Sequence, residues 1–148
     1  PSPVAKGGEG SGRYPKGSGV KPALVGGTGK GKTIEVPADA GARSFDPNQV
    51  VAQIGNMTLL AISGGRINGI YNSSGKGIIG VELPVGRGYS VRIFLAGNDT
   101  YTVQRAYSRA GKDTIKGEQT DVYADELSDT AYNASSFVNV PFGGHNPN

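Results

Sequence analysis

Apolar and polar positions change their spacing along this chain, and the changes divide it. Residues 1–33, PSPVAKGGEGSGRYPKGSGVKPALVGGTGKGKT, carry neither the alternation of a strand nor the three- and four-residue spacing of a helix. Such a segment buries too little apolar surface to offset the entropy lost on ordering, so a flexible arm is expected. TIEVP, Thr33 to Pro37, can pair as a short edge strand, and ADAGARS, residues 38–44, links onward. A sharper signal follows. Asp46 is a good N-cap, Pro47 suits the first helical position, Gln49 completes a capping box, and Phe45 and Val50 can close a hydrophobic staple. The spacing predicts a short helix over PNQVVAQI, ending at Gly55.

MTLLAIS, Met57 to Ser63, is a short, mostly apolar run that reads as a buried strand closed by Gly64 and Gly65. RINGIYNSSGKG, from Arg66, reads as hairpin or loop, and Ile78 to Val85 as a strand with Pro84 near its end. GYSVRIFL alternates Tyr89, Val91, Ile93 and Leu95 on one face. TYTVQRAYSR alternates Tyr101, Val103, Arg105 and Tyr107. Ala96 to Asp99 between them has turn chemistry, so the pair predicts a hairpin. Gly111-Lys112 makes another turn, and Thr114 to Gln119 a further strand. From Thr120, a capping residue, Tyr123, Leu127, Ala131, Ala134 and Val138 form a core-facing helical stripe, with Asp121, Asp125 and Asp129 on another face. The expected fold is α+β. An antiparallel meander of four or five strands carries a short N-terminal helix and a longer C-terminal helix, preceded by a flexible glycine-rich basic arm. The expected boundaries are 1–45 for arm and linker, 46–142 for the compact domain and 143–148 for a polar tail.

Charge follows the same division. Residues 1–33 hold ten of the 25 glycines and six Lys or Arg against one acid, whereas residues 46–148 hold eight basic and nine acidic residues. The formal net charge of +3 is therefore a property of the arm. With no Cys, neither disulfides nor thiolate metal sites are available. No apolar run reaches membrane-spanning length and no signal peptide is visible. Pro1 at the start implies a removed initiator Met or a cut from a longer chain. Sequons at Asn56, Asn72, Asn98 and Asn133 are read as chance in a chain rich in Asn, Ser and Thr.

Several motifs invite chemistry. From Gly26, GGTGKGKT fits the letters of a phosphate-binding loop, but such a loop needs a buried strand before it and a helix starting at its Lys-Thr. IEVP after Thr33 is too short and too β-branched to be that helix. His145 is the only histidine and sits in the tail, so no catalytic triad can be assembled. Asp121, Asp125 and Asp129 read as a solvated face rather than a cation site, lacking a glycine-turned acidic loop. Glu82, Glu118 and Asp99 read as surface acids rather than a catalytic pair. No catalytic, metal or cofactor site is expected. Candidate partner-binding residues lie in the arm: Arg13, Tyr14, Lys16, Lys21, Lys30 and Lys32. On the sheet, Arg92, Arg105, Tyr107 and Arg109 interleave basic and aromatic groups, as in sheets that stack single-stranded bases.

LAISGGR at Leu60 to Arg66, the LPV…GY pair, NDTYTV at Asn98 to Val103, and KGEQTDVYADE at Lys116 to Glu126 together resemble a family of small proteins of actinobacterial bacteriophages and prophages. The likeness covers roughly residues 49–144. Ser135-Ser136-Phe137 stands where relatives often show a Cys. GSGRYPKGSG, Gly10 to Gly19, resembles a short segment of phage head-associated and toxin-bearing structural proteins. The resemblance implies a setting rather than a mechanism. The expectation is a phage-encoded, non-catalytic interaction protein, virion-associated as a minor or decoration-type head component, and in the host cytoplasm during assembly. Its arm would order on a neighbouring subunit, and its partners would be other phage structural proteins or itself. The alternative is a nucleic-acid-binding accessory or host-takeover factor that uses the basic arm. A third class, a small nuclease or nucleotide-modifying enzyme, would have to rely on Glu82, Glu118 or Asp125.

Overall fold

Two apolar residues per strand are enough to draw the end of the presumed arm into a sheet. Val20–Val25 and Thr33–Pro37 form β1 and β2, paired antiparallel with Ala23 opposite Ile34. Ala23, Val25, Ile34 and Val36 all point inward and are buried. The computed structural model describes residues 19–26, 32–73, 77–136 and 139–142. Among these, five more strands follow: β3 (Asn68–Asn72), β4 (Ile78–Gly86), β5 (Tyr89–Leu95), β6 (Tyr101–Arg109) and β7 (Lys112–Val122). Every neighbouring pair is antiparallel, in the order β2-β1-β3-β4-β5-β6-β7. The α+β class holds, with seven strands instead of four or five. The extra strands are β1, from residues assigned to the arm, and β3, read as hairpin or loop. The fold therefore begins by Val20, ahead of the expected boundary at residue 46. Pro22 is tolerated because β3 pairs with β1 only from Ala23 onward.

The helices are α1 (Pro47–Ile54), α2 (Asn56–Ser63) and α3 (Leu127–Ser136), the last led by a 3₁₀ turn at Ala124–Glu126. Asp46 caps α1 as expected, its side chain accepting from the Asn48 N–H at 3.0 Å. MTLLAIS is a helix, not the expected strand. Gly55 (φ 88) ends α1, and its carbonyl accepts the Leu59 N–H, so a second helix starts at once. Gly64, left-handed at φ 67, closes it. A seven-residue apolar run has no period to betray it, and Met, Leu and Ala favour helix. The C-terminal helix starts later than expected because β7 runs on to Val122, leaving Thr120 in a strand. The Tyr123 N–H is then taken by Glu126 Oε1. Leu127, Ala131 and Ala134 are buried as the stripe requires, whereas Tyr123 is exposed and Val138 lies outside the described residues.

All three helices pack on one face of the sheet, over Val81, Leu83, Val91, Ile93 and Val103. The other face curls into a nearly closed barrel whose seam lies between β2 and β7. Ile70, Ile79 and Phe94 join the inward residues of β1 and β2 inside it. At Gly80 a Cβ would stand 2.6 Å from the Phe94 ring, so glycine there lets Phe94 cross the barrel. Strand β5 is thus covered on both faces and buried from Ser90 to Phe94.

Candidate functional site

The curl decides the fate of the interleaved basic residues. Arg92 alternates with Val91 and Ile93, so it points into the barrel and is fully buried. Its Nε donates to Glu82 Oε2 at 3.0 Å, while Nη1 and Nη2 donate to the two Asp113 oxygens at 2.8 and 2.6 Å. Ser90 Oγ also donates to Glu82 Oε2, Ser108 Oγ donates to Asp113, and Lys32 Nζ donates to Ser108 Oγ at 3.0 Å. The chain of contacts runs from the barrel centre to its rim. Burial alone lowers the Arg92 pKa, but the Asp113 bonds and the two nearby negative charges outweigh it, and the net shift is upward. Burial likewise raises Asp113, but bonds from Arg92 and Ser108 and the charges of Arg92 and Lys32 hold it below the ordinary carboxylate range. Both carboxylates spend their lone pairs on a guanidinium. The network holds charge in place and is poorly suited to passing a proton. Glu82 is therefore a buried ion-pair partner, not the expected surface acid. Glu118 is engaged elsewhere, accepting from Gln104 Nε2 at 2.9 Å.

Arg105 faces the helices and is also buried. Its Nε donates to the Ala134 carbonyl at 2.8 Å and Nη2 to the Asn133 carbonyl at 3.2 Å, and Nη1 reaches the Val140 carbonyl. A strand residue thereby satisfies carbonyls at the end of α3 and ties down the chain beyond it. Phe142 lies 5.4 Å under the guanidinium and rests on Gly117, where no Cβ would fit. Arg92 and Arg105 do not serve as accessible sheet-face contacts, because the curl encloses one and α3 covers the other. Tyr107 and Arg109 are not enclosed in this way. Tyr107 is half-buried against Tyr89, ring centroids 4.7 Å apart and planes at 47°, and Lys116 Nζ sits 5.7 Å over the Tyr107 ring. Arg109 is exposed.

The remaining candidates scatter. Arg13, Tyr14, Lys16 and Lys30 lie outside the described residues, as does His145. Lys21 is half-buried in β1, and Lys32 is exposed just before β2. The Val25 N–H donates to the Lys32 carbonyl at 2.9 Å, where β1 and β2 start to pair. Lys32-Thr33 thus leads into a strand, and the phosphate-loop letters lack their helix. Asp121, Asp125 and Asp129 do not share a helix face. Asp121, next to last in β7, has φ 56 and accepts from Asn98 Nδ2, Asp125 is in the 3₁₀ turn and Asp129 is in α3. Among the described residues no His, Cys, Asp and Glu group could hold a metal ion, and no helix is long and apolar enough to cross a membrane.

One surface was missed by the sequence reading because its residues were assigned to a strand. On α2, Leu59 and Ile62 face the core, while Met57 (80 % exposed), Leu60 (57 %) and Ala61 face solvent at the spacing of a helical stripe. From Pro47 to Ser63 there is no charged residue. Exposed apolar helix surface without charge marks a contact face more often than a solvated one.

No family model, curated protein or solved structure matches the chain.

Proposed function

We propose that this chain is a non-catalytic interaction protein, phage-encoded and virion-associated, that docks through the outer face of α2 onto a second copy of itself. The exposed, charge-free α2 stripe carries the reading. A two-fold contact brings like residues near one another, so a self-docking surface must avoid repelling its own charges. Residues 47–63 meet that condition, and depletion of charge is what separates interface cores from ordinary surface. The commitment of Arg92, Glu82, Asp113 and Arg105 to internal bonds supports a binding rather than a catalytic role. The phage setting rests on the sequence resemblance, and the arm is assigned to a neighbouring subunit within the particle.

Light scattering on the full chain tests the docking surface. The wild type should dimerise with concentration, and Met57→Asp with Leu60→Asp should leave a folded monomer. A wild type that stays monomeric at every concentration overturns it. Mass spectrometry of purified particles tests the setting, which falls if the protein is absent from them.

A further inference from the structure

Antiparallel order sorts the loops onto two ends of the sheet, and the charges are sorted with them. At one end lie Gly26 and Lys32, where β1 closes and β2 opens, and the tight turns Arg87-Gly88 and Ala110-Gly111. At the other lie Asp39, Asp99 and Asp121, with Asp39 accepting from the Gly97 N–H, Asp121 accepting from Asn98 Nδ2, and a cation, Arg43, donating to the Gly97 carbonyl. The first end is basic. Arg87, Arg109 and Lys112 are exposed there, and Asp113 beside them is bonded by Arg92, which it shares with Glu82, and is linked through Ser108 to Lys32. The Tyr89–Tyr107 pair opens at the same end, because these residues face each other at the start of β5 and the close of β6, with Lys116 above. Arg87 and Gly88 both have positive φ, 58 and 87, as a two-residue type I′ turn demands, and Ala110 and Gly111 repeat the pattern at the neighbouring tip with φ 53 and 80.

We propose that this end binds single-stranded nucleic acid, with bases against Tyr89 and Tyr107 and phosphates on Arg87, Arg109, Lys112 and Lys116. Half-exposed aromatic rings take any base on their faces, and cations around them track the backbone. None of these residues belongs to α2.

The test uses the full chain and fluorescein-labelled oligo-dT, oligo-U and a blunt DNA duplex of equal length, read by anisotropy. The variant Arg87→Asn/Arg109→Gln/Lys112→Gln removes three cations and gives the turn a preferred residue, so its melting temperature should not fall. Oligonucleotide affinity should drop at least about ten-fold, and the slope of log K against log salt should flatten by about 2, at roughly 0.7 per single-strand phosphate contact. Tyr107→Leu should weaken the single strands by about five-fold or more while sparing the duplex, as loss of stacking requires. Preference for oligo-dT or for oligo-U identifies the strand as DNA or RNA. Unchanged binding by the triple variant overturns the proposal and assigns the affinity to the arm. Equal loss of single strand and duplex in Tyr107→Leu overturns the stacking geometry. Oligomers that dissolve with salt and in the triple variant, without oligonucleotide binding, overturn it in favour of basic-to-acidic end packing.

Discussion

Arg92 shows what one residue can demand of its surroundings. A fully buried guanidinium is tolerable only with its charge answered, and Glu82 and Asp113 answer it from two different strands. Removing the cation alone strands Glu82 in the barrel. Arg92→Met should therefore cost about 3–5 kcal/mol in urea unfolding, and adding Glu82→Gln should return part of it. Asp113 gives a pH signature. Its folded pKa is depressed, so its contribution is fully present above the unfolded carboxylate value and is lost as pH falls through the folded one. Stability should start to decline below about pH 4, and Asp113→Asn should be less stable at neutral pH with a flatter acid limb. Tyr101 works in the opposite direction. Burial, followed by the charges of Asp99 and Asp46, raises its pKa. Its contribution is whole below the unfolded tyrosine value and fades as pH climbs through the folded one, above about pH 10. Alkaline melting curves should show that loss, and Tyr101→Phe should remove it.

At the scale of elements, legibility depended on how local the signal was. The α1 cap needs only Asp46 and its next two residues, and it was visible at once. Asp46→Ala should cost about 1 kcal/mol in chemical denaturation. The β5–β6 hairpin was equally plain, since alternation and turn chemistry agree along its whole length. MTLLAIS was not, because its identity depends on Gly55 handing one helix directly to the next. β1 and β3 were missed for a related reason. β1 offers only Ala23 and Val25 inward and β3 only Ile70, and each becomes a strand by having partners on both sides. The polar face of β5 was legible as alternation, but its burial was not, because enclosure of Arg92 follows from the curl of strands far away in sequence. The exposed α2 stripe was hidden by the same misreading, since a strand would have sent alternate residues to opposite faces.

For the whole molecule, the seam sets an order of stability. The β5–β6 ladder is continuous, while by the seam Lys32, just ahead of β2, reaches Ser108 on β6 through side chains. Segments held by fewer shared bonds open at lower free energy. Native-state hydrogen exchange should find the amides of β2 less protected than those of β5 and β6. Similar protection throughout would mean that the seam opens only with global unfolding.

The sorting of charge to opposite ends also gives the fold a polarity that its near-neutral composition conceals. A body of this kind has a dipole along its strands. Near a polyanion it experiences a torque as well as an attraction, and it turns its hairpin tips forward before contact. A dimer joined through α2 would approach such a surface with its geometry already chosen, so the long-range field would set which way it faces before any short-range contact forms.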